Sequence, residues 1–368
     1  MGIESFFQKN AYHPFATCGN LECGKTGPIP LSSTSHKTHP EQTPPTRSIE
    51  HFCDEDTCFT TDPTNFRSNR HHIRDRTFLD KAGIFNFQTI PIGETIREPV
   101  TTFRKFSQFI ASMPSRKAPG FSEVPAYLFK QAPIPFQKWI YLLVNEILKG
   151  DHDCDTELLM AKVIPIHKDK GIAILDHYRP IALLNTIYQL IMFIITSRLR
   201  QLTEYYAVME GSQYGFRTHR GVQMVVQRTH WVQQQAMKES GTLIRIDLDF
   251  KNAFNSAGQS CLWAILRGLG VPDVDFLENL YSKSWMKITV GTGCSAPIQV
   301  DTGTVQGSVL SPLLFDLFLN ALLRLLDATG ITHGIKRTPQ WNHAAFADDL
   351  SIYLGTVRDG NKLLLLTC

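Results

Sequence analysis

Three aspartates in this 368-residue sequence stand where chemistry could be done. Asp249 falls in TLIRIDLDF (242–250), where Ile244, Ile246, Leu248 and Phe250 alternate with Arg245, Asp247 and Asp249. Such alternation predicts a half-buried strand with carboxylates on its polar face. Asp348 and Asp349 lie in AAFADDLSIYL (344–354), which reads as two short strands around an Asp-Asp turn. Adjacent carboxylates in a tight apolar hairpin repel each other. A divalent cation removes that cost, and Mg²⁺ binds through carboxylate oxygens together with substrate phosphates. A pair of such ions, about 3.5–4 Å apart, can activate a hydroxyl and stabilise a departing phosphate. This chemistry needs carboxylates from separate strands that meet in space. Taken singly, an aspartate near a strand end also reads as a turn or cap residue, and an Asp-Asp pair as part of a solvent loop.

The flanking sequence supplies elements that could position them. LSPLLFDLFLNALLRLLDATG (310–330) predicts a long helix, with Ser311 as cap, Pro312 in the first turn and Gly330 closing it. MKITVGTGCSAPIQVDTG (286–303) predicts a hairpin with a Gly-containing turn. Upstream, AKVIPIHK (161–168) alternates like a strand and DKGIAILDH is a turn region. Tyr178–Pro180 then leads into an apolar helix over Ile181–Arg200. SRKAPGFSEVP (115–125) is a loop, and FQKWIYLLVNEILKG (136–150) is an amphipathic helix ending at Gly150. The order of aspartate strand, hairpin, long helix and Asp-Asp hairpin fits an α+β fold, an antiparallel sheet covered by helices on one face.

Bulk properties narrow the class. Hydrophobic residues make up 43% of the chain, enough for a sizeable core, and net charge is only +3. Charge is uneven, however: between Lys162 and Arg228 there are nine Lys or Arg against four Asp or Glu. That excess suits a polyanionic partner and equally a solvated surface. Residues 1–75, rich in Pro, Thr, Ser and His, read as a mostly disordered segment. It carries two Cys-x4-Cys pairs, Cys18/Cys23 and Cys53/Cys58, at the loose edge of zinc-ligand spacing. They read as free thiols or as a four-thiolate site. The other cysteines are scattered, which points to a reducing, intracellular compartment, nuclear or cytoplasmic. MGIESFFQKN has no secretory pattern, and Phe6 stands where myristoylation wants Ser or Thr. The longest apolar stretch, Ile181–Thr196, contains Asn185 and Gln189 and is shorter than a membrane span, so no membrane partner is expected.

At this point a resemblance becomes specific. DFKNAFNS (249–256) resembles the reverse transcriptase motif in which a catalytic Asp stands before Ala-aromatic with three residues between. GTVQGSVLSPLLF (303–315) is similar to the family's Gly-x-x-Gln-Gly-x-x-Leu-Ser-Pro motif, and FADD (346–349) to its aromatic-x-Asp-Asp motif. YRPIALLN (178–185) and QYGFR (213–217) resemble two fingers motifs. RKAPG (116–120) resembles an element typical of non-LTR, LINE-type retrotransposon enzymes. Six motifs in family order identify the sequence as resembling a LINE-type reverse transcriptase. A group II intron-type enzyme is the runner-up lineage, and an inactive relic retaining nucleic-acid binding is the alternative state.

The resemblance implies a right-hand polymerase. Fingers and upstream helices would occupy 76–235 and an incomplete palm 236–368, without a thumb, so the sequence reads as truncated after the Asp-Asp motif. It also implies an RNA template, a DNA primer, dNTPs and two Mg²⁺ ions, with Mn²⁺ able to substitute. Asp249, Asp348 and Asp349 would be the catalytic metal ligands. Asp247 reads as a strand-face acid. Phe254 would lie under the incoming sugar and select deoxynucleotides, with Asn255 replacing a common Asp. Gln306 and Gly307 would lie beside the nucleotide. Lys168 and Arg179 would hold the triphosphate, although Lys170 lies near Lys168. Arg217 reads as a template or nucleotide contact, or as a fold-stabilising pair. Oligomeric state is not legible.

Overall fold

A computed structural model describes residues 88–115, 117–152, 154–168, 177–238, 241–250, 252–305, 307–328 and 343–356. The N-terminal segment with Cys18, Cys23, Cys53 and Cys58 therefore lies outside the described residues, as do Arg116, Lys170, Gln306 and Gly330. The architecture is α+β. Helices α1 (Phe103–Ser112), α2 (Ala126–Gln131), α3 (Ile134–Lys149) and α4 (Thr156–Leu159) precede strands β1 (Ala161–His167) and β2 (Tyr178–Leu183). After them come α5 (Thr186–Tyr205), α6 (Val222–Lys238), β3 (Ile244–Asp249), α7 (Ala253–Ser256), α8 (Gln259–Gly268) and α9 (Val274–Ser282). The remaining elements are β4 (Trp285–Val290), β5 (Gly293–Cys294), β6 (Ile298–Gln299), α10 (Ser311–Ala328), β7 (His343–Phe346) and β8 (Asp349–Leu354).

Local rules account for several boundaries. Helix α3 stops at Gly150, which takes the left-handed conformation and donates to the carbonyls of Glu146 and Ile147. The expected hairpin turns at Gly291, between Val290 and its partner Gly293. The expected helix over Ile181–Arg200 begins later than the sequence suggests. Residues up to Leu183 extend β2, antiparallel to β1, and the helix starts at Thr186. An apolar run buried on all sides has no period that separates a strand from a helix, and the pairing with β1 decided it.

Two sheets result. In the first, the order is β2-β1-β4-β5, with β6 also on β4. In the second, β8 lies between β3 and β7, all antiparallel. The sequence grouped the 286–303 hairpin with the aspartate strands. It belongs instead to the first sheet, where β4 runs parallel to β1 through Lys162↔Lys287. The main core, from Ile90 to Leu317, joins α1, α3, α5, α8 and α9 to one face of that sheet.

Helix α10 is shared by everything. Leu313, Leu314 and Leu317 enter the main core, while Phe315, Leu319, Leu323 and Leu326 pack under the aspartate sheet with Leu350 and Ile352. A third stripe, Asp316, Asn320 and Arg324, is polar and buried. Its Asn320 accepts from the Glu210 N–H at 2.7 Å and donates to the Val208 carbonyl at 3.0 Å. A helix buried on every side is held by tertiary packing rather than by propensity. Among the described residues, no helix is long and apolar enough to cross a membrane.

Candidate active site

The alternation in β3 emerges as read. Ile244, Ile246 and Leu248 pack toward α10, and Arg245, Asp247 and Asp249 face out. Pairing with β8 sets Asp249 directly opposite Asp349, and Asp247 opposite Ser351. The β7–β8 turn is Phe346-Ala347-Asp348-Asp349, with Phe346 and Asp349 as the closing pair. Three expected metal ligands are thus brought to one end of one sheet.

The acids there differ in environment. One oxygen of Asp247 accepts from Arg245 Nε at 2.8 Å and from the Ser351 hydroxyl at 2.6 Å, so that charge is already compensated. Asp249, Asp348 and Asp349 have no such compensation among the described residues. Local desolvation pushes the Asp349 carboxyl above its ordinary value, and the charges of Asp348, Asp249 and Asp247 add to the shift. Like charges opposite each other destabilise a sheet. The donor set, all carboxylate oxygens on neighbouring strands, fits a hard divalent cation. As the side chains stand, no group of three or more His, Cys, Asp or Glu among the described residues is gathered to hold a metal.

The turn itself is strained and propped. Ala347 sits at φ 55, a conformation that costs a residue with a Cβ about 1 kcal/mol or more. The segment Ser212–Gly215 holds it there. The Ala345 N–H donates to the Ser212 carbonyl at 2.9 Å, and the Tyr214 N–H to the Ala345 carbonyl at 2.8 Å. The fully buried Gln213 accepts from the Ala347 N–H at 3.1 Å and from the Gly215 N–H at 2.8 Å through one oxygen. A Cβ on Gly215 would come within 2.3 Å of the Ala347 nitrogen, so glycine alone lets the chains close. Ser212 also shares a 2.6 Å hydrogen bond with the buried His343 ring. Burial, helped by Arg228, pushes that imidazole down to about 3 and keeps it neutral.

Arg217, read as a template or nucleotide contact or a fold-stabilising pair, makes a fold-stabilising pair in this structure. Its guanidinium is buried, binds Glu204 through Nε at 2.8 Å and Nη2 at 2.7 Å, and donates to the Glu210 carbonyl at 2.8 Å. A planar fork used this way has few donors left for a ligand.

Gly303 and Gly307 each lie close against another backbone. A Cβ at Gly303 (φ 74) would meet Asn255, and one at Gly307 (φ 127) would lie 2.0 Å from the Ala182 carbonyl of β2. Gly307 thus brings its backbone close against β2. Ser311, expected as a helix cap, instead donates its hydroxyl to the Val305 carbonyl at 2.7 Å and pins this loop to α10. Phe254 is half buried, its ring 4.6 Å from that of Phe315 and edge-on to Phe216 at 6.3 Å. Arg179 is exposed on β2, and the Lys168 N–H donates to the His177 carbonyl at 2.8 Å.

Two residues were missed by sequence reasoning. Gln213 was quoted only as part of QYGFR, and nothing local marks it as the prop of a distant turn. Asp316 was legible as an acid in an apolar helix, followed at helical spacing by Asn320 and Arg324. It is fully buried, and neither carboxylate oxygen has a hydrogen-bond partner among the described residues. Burial pushes it up to about 8, with Asp348 adding and Arg217 and Arg200 opposing.

Comparison with known proteins shows the family. Residues 166–365 match the family described as Reverse transcriptase (RNA-dependent DNA polymerase). The chain is 28% identical over 212 residues to the probable RNA-directed DNA polymerase from transposon BS of Drosophila melanogaster, covering 57% of this chain and 23% of that protein. It is 30% identical over 192 residues to the retrovirus-related Pol polyprotein from type-2 retrotransposable element R2DM of the same organism, covering 51% and 17%. To the RNA-directed DNA polymerase from mobile element jockey of Drosophila funebris it is 22% identical over 256 residues, covering 69% and 27%. The chain thus spans about a quarter or less of the length of these relatives. Among solved structures it is similar to apo telomerase from Candida Tropicalis truncated from the C-terminal domain, at 14% identity and a TM-score of 0.41, covering 62% and 50%.

Two outcomes are expected from the site's construction. Gln213→Ala leaves two buried N–H groups without an acceptor and should cost about 2 kcal/mol or more, seen as a lower urea midpoint. An unchanged midpoint would refute the prop. Asp316 holds its proton to near pH 8 when folded, whereas its ordinary value is 3.8. Stability is therefore lost as pH rises through that window. Asp316→Asn should raise Tm, with a gain that grows between pH 4 and pH 8. A gain independent of pH counts against a neutral buried acid.

Proposed function

This chain belongs to the reverse transcriptase family, and from that premise we propose that it carries the catalytic core of an RNA-directed DNA polymerase of the non-LTR retrotransposon type. The reaction adds dNTPs to a primer 3′ hydroxyl, directed by an RNA template. The observation that carries the reading is the in-register pair Asp249 and Asp349, with Asp348 in the turn beside them and no neutralising partner on any of the three among the described residues.

In this reading Asp249, Asp348 and Asp349 hold two Mg²⁺ ions, replaceable by Mn²⁺, once their side chains gather. The ions supply the Lewis acidity that such transfers need. The protein's own part is positioning and electrostatics. Lys168, and Arg179 on its exposed strand, bind the triphosphate, Arg179 by a two-pronged contact. Phe254 stands beside the incoming sugar, backed by Phe315, and its ring excludes a 2′-hydroxyl. Gln306 and Gly307 border the same nucleotide, and the packing of Gly307 against β2 ties that border to the strand carrying Arg179. Residues 76–235 would form fingers and upstream helices, and 236–368 the palm. The β1–β4 pairing crosses that boundary and joins the two lobes.

Primer extension on an RNA template with dNTPs and Mg²⁺ or Mn²⁺ tests this. The chain should extend the primer, and Asp348→Ala or Asp249→Ala should lower the rate at least about 10²–10³-fold. Absence of template-dependent synthesis, or synthesis indifferent to both substitutions, would sink the proposal. Phe254→Ala should raise ribonucleotide incorporation relative to deoxynucleotide by roughly tenfold or more, read from competing NTP and dNTP extension. An unchanged ratio would remove Phe254 from the sugar gate.

A further inference from the structure

One face of the first sheet is turned away from the core. Ala161, Val163, Ala182 and Ile288 face inward. The alternate residues of β1 face outward, with Ile164 at 36% and Ile166 at 52% exposure. Lys162 lies on that outer face, and parallel pairing sets Lys287 directly beside it on β4. Two ammonium groups in register on neighbouring strands, about 4.8 Å apart in backbone spacing, oppose each other. No acidic side chain neutralises either one among the described residues.

An aromatic ring completes the cluster. The loop before α2 is pinned to the end of β2: the Gly120 N–H donates to the Leu184 carbonyl at 3.1 Å, and the Ser122 N–H to Asn185 Oδ1 at 3.0 Å. Asn185 in turn donates to the Glu157 carbonyl at 2.7 Å, so the anchor is itself fixed. Phe121, between the two pinned residues, is thereby held over the lysines. Both Lys162 Nζ and Lys287 Nζ lie 5.9 Å from its ring centroid, while the residue stays 37% exposed. The result is a pair of cations, neutralised by no acid among the described residues, held over a firmly mounted and partly exposed aromatic ring.

We propose that Phe121, Lys162 and Lys287 form a contact site for single-stranded nucleic acid, separate from the aspartate site and assigned on the reading of the chain as an RNA-templated polymerase. The chemistry selects that ligand. Single strands alternate phosphates, which the paired ammonium groups neutralise, with unpaired bases, which stack on an aromatic side chain. Ile164 and Ile166 add apolar area on the same face, but the paired cations over an aromatic ring match the alternation of phosphate and base in a single strand, and a lipid headgroup would have no use for the ring.

Binding of a labelled single-stranded RNA of mixed sequence to the full chain, followed by fluorescence anisotropy over a range of salt, tests this. Lys162→Ala with Lys287→Ala should weaken binding and lower the slope of log K against log salt by about 1.4, from about 0.7 per phosphate on a single strand. Phe121→Leu should weaken binding roughly tenfold while leaving that slope unchanged. Circular dichroism melting shows whether each variant is folded, and Phe121→Leu keeps most of the buried area if the lysine variant is not. Unchanged affinity and slope in both variants would overturn the site. So would no binding by the unaltered chain, or equal losses on heparin and on phosphatidylserine vesicles, which would mark a general anion patch. Primer extension separates the two readings. Extension with RNA binding indifferent to the three residues refutes this site alone. Binding through them without extension refutes the polymerase reading alone.

Discussion

Like charges held face to face are the constraint from which the rest of this structure follows. Asp249 and Asp349 oppose each other across an antiparallel pair, and Asp348 stands in the adjoining turn. Each such opposition costs a few tenths to about 1 kcal/mol in an exposed sheet. The apolar faces behind them outweigh it. Phe315, Leu319 and Leu323 of α10 are almost fully buried against β3 and β8, and each is worth about 1.5–3 kcal/mol. The sheet stays paired although its polar face, left to itself, would push the strands apart.

Packing from below fixes the strands, but it does not fix the turn. That task falls to Gln213 and Gly215, which take the strained Ala347 backbone into a network of buried hydrogen bonds. The same segment is anchored from behind by Arg217, whose guanidinium binds Glu204 and the Glu210 carbonyl. The polar stripe of α10 completes the support through Asn320 at Glu210. One helix therefore carries the aspartate sheet on one side and the segment that props its turn on another. Asp316 on that stripe is the exception. It is a buried acid with no hydrogen-bond partner among the described residues, tolerated because burial keeps it protonated.

The first sheet links this centre to the rest. Strand β4 follows β3 by way of α7–α9, yet it pairs with β1, and Gly307 packs on β2. Gly307 therefore touches the strand that bears Arg179, while Gly303 and Thr304 touch the helix that bears Phe254. The β1–β4 pairing, Ala161↔Met286 to Val163↔Ile288, thus joins segments more than a hundred residues apart.

The sequence by itself determined what depends on near neighbours. The period-two alternation of 244–249 is a strand, the 286–303 segment turns as a hairpin, Gly150 ends its helix, and the Asp-Asp pair sits in a tight turn. The resemblance carried by DFKNAF, the Gln-Gly motif and FADD added the family, which the match over 166–365 bears out. Tertiary structure decided the remainder. Residues 181–183 are strand because β1 lies beside them, Ser311 donates because the Val305 carbonyl is in reach, and Arg217 turns inward because Glu204 waits there. It also set Asp249 opposite Asp349 and left Asp247 with Arg245 and Ser351. Pattern along a chain fixes which face a side chain takes. It cannot say which distant atom will meet that face, because that choice is made by the packing of helices and sheets far apart in sequence.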